Sequence, residues 1–334
     1  MRRITTVSLF GLKLAFTALP LWFVASRVDF PSALTVLSRT DGLWATIAVA
    51  LALVQVALAG VRLVAILNMV GKEENLGPAL RITWIGAFFS QALVSFVSGD
   101  VARVWLLSRR GMSFRSATNA VLLDRVFGVI ALVFLILAGL VALLDALPSR
   151  EMQWGAATTT AAFVFAIAVF LLLGWLARDP DRSLPLIRLP RLAWIGDFAS
   201  AARYIFTAPA AAAAAMLYSL AVQVLSVVTI FVLFRGMGAT VSLWTCFVFV
   251  PFVMLIAMLP ISVAGWGVRE TAMIVGFTTL SIASETILAV SIAFGIVLLV
   301  TSLPGAAFWL LGRDRIAAAR LADTDYGPSA QRLS

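Results

Sequence analysis

Six long apolar segments constrain the fold of this chain more than any other feature of its sequence. They lie at about 7–26, 43–70, 119–147, 156–177, 209–234 and 284–311. A helix needs ~20 predominantly apolar residues to cross a bilayer, where its backbone groups must bond to one another. With 62% hydrophobic and 12% charged residues, the composition excludes a soluble enzyme, a disordered tail and a water-soluble nucleic-acid binder. The sequence therefore predicts an all-α polytopic membrane protein.

Two further apolar stretches, at about 79–98 and 241–263, are less regular than these segments. The first carries polar side chains near its end, and the second contains Pro251 and Pro260. Each stretch ends in a glycine motif with charged residues close behind. Proline and glycine at membrane depth leave backbone groups that protein or water must satisfy. We therefore predict about six full spans and two broken or re-entrant helical elements.

The basic residues are distributed unequally between the predicted loops. With the N-terminus inside and both broken elements re-entrant, the inside loops hold sixteen Lys and Arg residues and the outside loops hold four. Cytoplasmic loops carry the excess of positive charge, so we expect both termini in the cytoplasm. The longest polar stretch, 178–208, becomes a cytoplasmic linker. Its composition fits either a surface-lying amphipathic helix or a plain basic linker.

The chain also resembles itself when it is shifted by 166 residues. The motif that contains Arg103 then falls on the motif that contains Arg269. Each half has three full spans and one broken element, and an odd number of spans puts the halves in opposite orientations. Such an inverted repeat is typical of many secondary transporters. We expect a single membrane domain, with repeat halves at 1–150 and 151–315 and a cytoplasmic tail at 316–334.

Charged residues inside or beside the apolar segments are the least expected part of the sequence. A charge near the bilayer centre costs at least ~2.5–3.5 kcal/mol, so these residues are candidates for a functional site. The basic ones are Lys13, Arg62, Arg103, Arg125 and Arg269, and the acidic ones are Asp100, Asp124, Glu270 and Glu285. Of these, Lys13 lies close enough to the interface to reach it with its side chain. For Asp124 and Arg125 two roles remain open, an ion pair that only locks the helices together and a part in binding.

The two glycine motifs predict a place where an anion binds. In the first, we expect the chain to turn at Ser98 and Gly99 and to restart a helix, with Asp100 as N-cap and Arg103 one turn on. The second motif has the same form, with the turn residues Pro260, Ser262, Gly265 and Gly267. A helix N-terminus offers unpaired N–H groups, and a nearby arginine adds a fork that suits phosphate. A phosphate that enters so apolar a protein is expected to belong to a lipid head group.

The same residues carry a resemblance to a known family. Arg62, the motif Ser-Gly-Asp-x-x-Arg at 98–103, the pair Asp124-Arg125 and the segment 260–270 together resemble the lysylphosphatidylglycerol synthase transmembrane, or flippase-like, family. The resemblance covers most of the chain and implies a lipid-flipping role. The sequence ends shortly after its last predicted span, and the resemblance therefore implies a stand-alone member without the soluble synthase domain.

We therefore expect a lipid flippase or lipid transporter of a bacterial inner membrane and not an enzyme. The expected substrate is an anionic phospholipid or a polyprenyl-phosphate-linked lipid, and no nucleic acid is expected as partner. The phosphate-binding residues would be Arg62, Arg103, Arg125 and Arg269, and the orienting or proton-coupling residues would be Asp100, Asp124 and Glu270. Without a Walker A motif or a histidine, and with one cysteine, we expect no ATP hydrolysis, catalytic site, cofactor or metal.

Two other functions remain open at the level of sequence. A polyprenyl-phosphate-dependent glycosyltransferase would need a carboxylate at the membrane face, for which Asp29 and Asp41 are the external candidates. An accessory subunit of a lipid-modifying complex would instead act through a separate lipid-modifying enzyme. The abundance of charge inside the apolar segments argues against such a passive role.

Overall fold

The computed structural model describes residues 30–38, 40–92, 96–177, 193–258, 267–280 and 282–325, and the regular secondary structure in these ranges is α-helical. The helices are α1 (Phe30–Ser38), α2 (Gly42–Met69), α3 (Leu76–Ala92), α4 (Phe96–Arg109), α5 (Phe114–Ala146), α6 (Arg150–Leu176), α7 (Ala193–Thr207), α8 (Pro209–Gly236), α9 (Leu243–Ala257), α10 (Val268–Thr278) and α11 (Ser284–Asp325). The predicted all-α class is confirmed.

Five of these helices are long and apolar enough to cross a membrane. They are α2, α5, α6, α8 and the part of α11 that runs from Ser284 to Leu311. They correspond to five of the six predicted spans, so the chain is a multi-pass membrane protein. The remaining predicted span, 7–26, lies outside the described residues.

Side-chain caps mark where several helices begin. At the start of α2, the Asp41 carboxylate accepts a hydrogen bond from the Leu43 N–H at 2.9 Å. At the start of α5, the Ser113 hydroxyl accepts one from the Ser116 N–H at 3.1 Å. Such caps satisfy N–H groups that have no partner within the helix, and they therefore fix the helix boundary.

The two predicted broken elements each consist of two helices that are too short to span a bilayer. The first comprises α3 and α4, with residues 93–95 between them outside the described residues. The second comprises α9 and α10, with residues 259–266 likewise outside them. The short helices α4 and α10 have 14 and 11 residues, below the ~20 that a full span needs. That they are re-entrant remains a prediction.

The helix boundaries in the two halves correspond to the shift of 166 residues. Moved by that amount, α2 would fall on 208–235, and the structure has α8 at Pro209–Gly236. In the same way α3 would fall on 242–258, and the structure has α9 at Leu243–Ala257. By the same correspondence α1 pairs with α7, α4 with α10 and α5 with α11.

The packing of the helices follows the same correspondence. Helix α3 packs on α11 as α9 packs on α5, and α4 packs on α5 as α10 packs on α11. The corresponding helices α2 and α8 pack against each other, with Gln55 Nε2 donating to Ser226 Oγ at 2.7 Å and Arg62 Nη1 to Ser219 Oγ at 3.2 Å. Because the residue numbers rise on one helix while they fall on the other, the two helices run antiparallel. An inverted repeat requires this arrangement and stays a prediction that these contacts support.

An ion pair joins two of the predicted cytoplasmic loops at one end of the bundle. Arg110, just after α4, donates from Nε and Nη2 to both carboxylate oxygens of Glu74, in the loop before α3, at 2.9 and 3.0 Å. The Arg110 guanidinium lowers the pKa of Glu74 below its ordinary value. The carboxylate is thus charged at neutral pH, and this contact weakens only as the pH falls through the lowered pKa. The contact puts both loops on the same side, as the charge distribution predicts.

The predicted cytoplasmic linker at 178–208 contains a helix in its second part. Helix α7 packs on α6, where Gly174 lies so close to Ala202 that an added Cβ would stand 2.6 Å from its backbone carbon. Ala201 and Ala202 are buried, whereas Phe206 is exposed. The helix that one of the two sequence interpretations requires is therefore present, and its placement on a membrane surface stays a prediction.

Candidate functional site

One carboxylate in the bundle interior connects three helices. Asp124 of α5 accepts from Arg62 Nε of α2 at 2.7 Å through Oδ1, and from Arg103 Nη1 of α4 at 2.9 Å through Oδ2. Asp124 is 3% exposed and Arg62 7%. Because a buried charge without a partner is costly, removing this carboxylate would leave two arginines uncompensated.

A second ion pair joins the same two helices, α4 and α5, nearer to the surface. Arg125 donates from Nε and Nη2 to the two oxygens of Asp100 at 2.8 and 3.0 Å, a bidentate geometry. The side chains are 34% exposed for Arg125 and 24% for Asp100. The neighbouring residues Asp124 and Arg125 thus take partners of opposite charge from α4. We call the five residues Arg62, Asp100, Arg103, Asp124 and Arg125 the interior charge cluster.

The first glycine motif differs from its prediction in where the helix begins and in the partner of Asp100. Helix α4 already begins at Phe96, so Ser98 and Gly99 lie inside the helix and not in a turn. Asp100 is consequently in the second turn, does not cap the helix, and pairs with Arg125 instead of Arg103. These parts of the prediction are wrong, because residues 96–109 already form one helix and the partner of Asp100 lies on α5.

Gly99 serves close helix packing. A Cβ at this position would overlap the Ser90 hydroxyl and the Gly86 carbonyl oxygen of α3. Gly86 in turn lies against the side chain of Arg103, where an added Cβ would stand 2.7 Å from Cγ and closer still to Nε. The two glycines therefore bring α3 and α4 together and set the position of the Arg103 side chain.

The second glycine motif forms a separate charged group at the start of α10. Gly267 is the N-cap with φ 83°, and its N–H donates to Glu270 Oε2 at 2.6 Å. Glu270 Oε1 accepts from Arg269 Nη2 at 2.7 Å and from Ser291 Oγ of α11 at 3.0 Å. The carboxylate of Glu270 thus lies where the sequence predicted an external anion. The other predicted turn residues, Pro260, Ser262 and Gly265, lie outside the described residues.

The two halves tie their short helix to the following long helix at corresponding positions. In the first half Arg125 of α5 binds Asp100 of α4. Shifted by 166 residues, Arg125 falls on Ser291 of α11, whose hydroxyl and carbonyl oxygens accept from Arg269 of α10 at 3.1 and 3.0 Å. The connection is conserved in place but not in chemistry: an ion pair in one half, a hydroxyl and a backbone carbonyl in the other.

The interior charge cluster carries an excess of positive charge. It contains three arginines and two aspartates, whereas Arg269 and Glu270 balance each other. Arg103 uses Nη1 for Asp124, and within the described part of the chain its buried Nε has no hydrogen-bond partner. An arginine has five N–H donors, so Arg103 retains donors for an anion.

Several residues of the site were not found from the sequence. A serine in an apolar span does not by itself indicate a function, but the Ser219 hydroxyl accepts a hydrogen bond from Arg62. With Gln223 and Ser226 it forms a polar stripe along α8 at helical spacing, and Gln223 Nε2 donates to the Gly128 carbonyl of α5 at 3.2 Å. This spacing in an otherwise apolar span was the available signal. Among the described residues, no group of three or more acidic or cysteine side chains could hold a metal ion.

The fold and the site together define a multi-pass helical membrane protein with charged groups held in its interior. Residues 10–305 match the family model of the lysylphosphatidylglycerol synthase TM region, and the chain belongs to this family. The expected family is thereby confirmed, and it supports a lipid-related function in a membrane. No curated protein matches the chain.

The bridging role of Asp124 predicts a large loss of stability in Asp124→Asn. The substitution leaves Arg62 and Arg103 buried without their anion, so we expect the free energy of unfolding to fall by about 3–5 kcal/mol. Asp145→Asn, at an exposed position on the same helix, is the control and should leave stability nearly unchanged. Thermal unfolding of the purified protein in detergent measures both, and equal midpoints for the two variants would contradict the assignment.

The contact of Gly86 with Arg103 predicts that Gly86→Ala acts through that arginine. We expect a loss of about 1–3 kcal/mol, as for other overpacked sites, in an otherwise wild-type chain. In an Arg103→Ala background the same substitution should cost much less, because the three atoms nearest to the new Cβ all belong to Arg103. Gly77→Ala, on the same helix in open space, is the control. Additive losses in the double variant would refute the contact.

Proposed function

We propose that this protein moves an anionic, phosphate-bearing lipid between the leaflets of a bacterial inner membrane. The observation that carries the proposal is the interior charge cluster, with three arginines and two aspartates among membrane-spanning helices. Burying so many charges is costly in a bilayer, and a protein that only anchors a partner has no need of them. Family membership adds an independent link to membrane lipids.

The chemistry of the cluster favours a phosphate as ligand. Arginine presents a planar fork that binds phosphate through two parallel hydrogen bonds. The excess positive charge lies in a region of low dielectric, where attraction to an anion is strong. Arg103 is the central candidate, because it has donors beyond the one that binds Asp124.

The graded exposure of the cluster supplies a route for the head group. Arg125 and Asp100 are partly exposed, Arg103 is 14% exposed at its side chain, and Arg62 and Asp124 are buried. A phosphate that arrives at Arg125 would replace the carboxylate of Asp100 as its partner. Exchanging one anion for another avoids leaving an arginine unpaired, so the barrier to entering the bundle is reduced.

Arg269 and Glu270 would perform the corresponding exchange in the second half. The Glu270 carboxylate accepts hydrogen bonds from the Gly267 N–H at the start of α10 and from the guanidinium of Arg269. An arriving phosphate would therefore have to displace this carboxylate. A displaced carboxylate that takes up a proton would couple lipid movement to protons, and Asp100, Asp124 and Glu270 are the groups for this role. In an inverted repeat the two sites would serve opposite leaflets in turn.

The same proposal has three further parts. Both termini lie in the cytoplasm, transport is passive or coupled to an ion, and the protein is not an enzyme. The competing glycosyltransferase is less well supported. Of its two candidate carboxylates, Asp41 caps α2 through the Leu43 N–H, and Asp29 lies outside the described residues. A separate lipid-modifying enzyme remains a proposed partner, since the family takes its name from a synthase.

A liposome assay tests the proposal. Protein reconstituted with fluorescent phosphatidylglycerol should move the probe between leaflets, measured by the fraction that membrane-impermeant dithionite bleaches over time. Losing a charge-assisted hydrogen bond worth about 1.5–3 kcal/mol should slow transport by roughly tenfold or more in Arg103→Ala and in Arg269→Ala. Arg103→Lys, which keeps the charge but loses the fork, should fall between Arg103→Ala and wild type.

Arg235→Ala is the matched control, because Arg235 is exposed at the end of α8, away from both charged groups. It should transport at the wild-type rate. If Arg103→Ala and Arg269→Ala, folded as judged by their unfolding midpoints, also transport at that rate, the assigned site is wrong. If wild-type protein moves no probe above protein-free liposomes, the proposed transport is wrong.

A further inference from the structure

An apolar groove lies on the outer side of α4, the helix that carries Asp100 and Arg103. Its apolar lining consists of Phe89, Val97, Val101, Ala102, Trp105 and Trp309. The groove is open and has a volume of about 570 Å³, within the ~300–1,000 Å³ typical of small-molecule sites. The groove lining contains none of the charged residues described above, so the groove is a separate feature of the structure.

The exposed residues of the groove follow one face of α4. Val97 and Val101 are 58% and 60% exposed, and Trp105 continues the row one turn later. At 100° per residue, the middle of this face lies about 100° from Asp100 and about 160° from Arg103, and both of these side chains pair with residues of α5. Helix α4 thus presents charge to the interior and a hydrocarbon-like surface to the bilayer.

The far wall of the groove is built from aromatic rings of other helices. The ring of Trp309 from α11 lies 5.5 Å from that of Trp105 and 5.0 Å from that of Phe89 of α3. Rings held by one another in this way give a fixed wall, against which a flexible chain can lie.

A cation stands at one end of the groove. The guanidinium carbon of Arg109, in the last turn of α4, lies 4.4 Å from the centre of the Trp105 ring. This stacking holds the guanidinium against Trp105, a residue of the groove lining, and a stacked guanidinium can still donate hydrogen bonds from its edge. Arg109 is exposed and lies next to Arg110, whose contact with Glu74 marks the predicted cytoplasmic end.

The dimensions of the groove fit one lipid of one leaflet. From Val97 to Arg109 the helix rises about 18 Å, at ~1.5 Å per residue. Half of the ~30 Å hydrocarbon core is about 15 Å. A lipid phosphate at Arg109 would therefore place an acyl chain along the whole length of the row from Trp105 to Val97.

We propose that this groove is a docking site for a phosphate-bearing lipid of the cytoplasmic leaflet, with its phosphate on Arg109 and one acyl chain along the exposed face of α4, against the ring of Trp309. The inference rests on the proposed function in one respect, that the docked lipid is the one then passed to the interior charge cluster. Hydrocarbon gains little by leaving lipid for a groove, so the arginine and the aromatic wall must supply the preference.

Photo-crosslinking tests the docking site without depending on transport. Phosphatidic acid with a diazirine in the middle of one acyl chain is reconstituted with wild-type protein in phosphatidylcholine nanodiscs and irradiated. Mass spectrometry of the digested protein should find the probe on α4 and near Trp309, above other lipid-facing positions such as Val141. Crosslinking at the groove equal to that at Val141 would show ordinary bilayer contact and overturn the proposal.

Two variants separate the contributions of the phosphate and the chain. Arg109→Ala should reduce crosslinking at the groove by about tenfold, because it removes a charge-assisted contact. Val101→Trp, which fills the groove from an exposed position, should abolish it. Arg235→Ala and Val141→Trp are the matched controls, and unchanged crosslinking in both test variants would overturn the docking site.

A diazirine fatty acid and a cysteine pair distinguish the remaining occupants. The fatty acid, which lacks the phosphate, should label the groove much less, and equal labelling would overturn the role of Arg109. A disulfide between Val101→Cys and a cysteine introduced within 7–26 would show that the chain covers its own groove and would also overturn the proposal. Transport that fails while the groove is labelled would refute the proposed function and leave the docking site standing.

Discussion

The interior of this protein depends on the ion pairs that the carboxylate of Asp124 forms. This carboxylate, on α5, pairs with Arg62 of the spanning helix α2 and with Arg103 of the short helix α4. Burying any of the three charges without a partner would be costly. The hydrophobic effect does not drive helices together within lipid, so polar contacts of this kind act beside close packing to fix which helices meet and at what rotation. The short helix α4 is thereby held in the bundle although its 14 residues are fewer than a full span needs.

The second half reaches the same arrangement with less charge. There Arg269 and Glu270 compensate each other within α10, and Ser291 links them to α11. In the first half, by contrast, the five residues of the interior charge cluster sum to one positive charge. If the halves form an inverted repeat, this difference makes the two charged groups unequal in their attraction for an anion.

The sequence was sufficient for the long spans, because an apolar run of ~20 residues has one outcome in a bilayer. It also identified the charged residues, since their cost in the membrane makes them conspicuous. It did not predict that Asp100 pairs with Arg125, because this depends on the rotation of α4 against α5. That rotation follows from the close approach at Gly86 and Gly99, a contact between separate helices that no local pattern encodes. For Glu270 a signal was available, because it lies three residues after the N-cap Gly267, the spacing of a capping box.

The central claim is that the interior charge cluster binds the phosphate of a lipid. Electron cryomicroscopy of the protein in nanodiscs that contain phosphatidic acid tests it most directly, with phosphatidylcholine nanodiscs as the reference. The account predicts head-group density within hydrogen-bond distance of the guanidinium of Arg103 or Arg125, with the Asp100 carboxylate moved away from Arg125. Intact ion pairs at both arginines, with head-group density only at the outer surface, would contradict it.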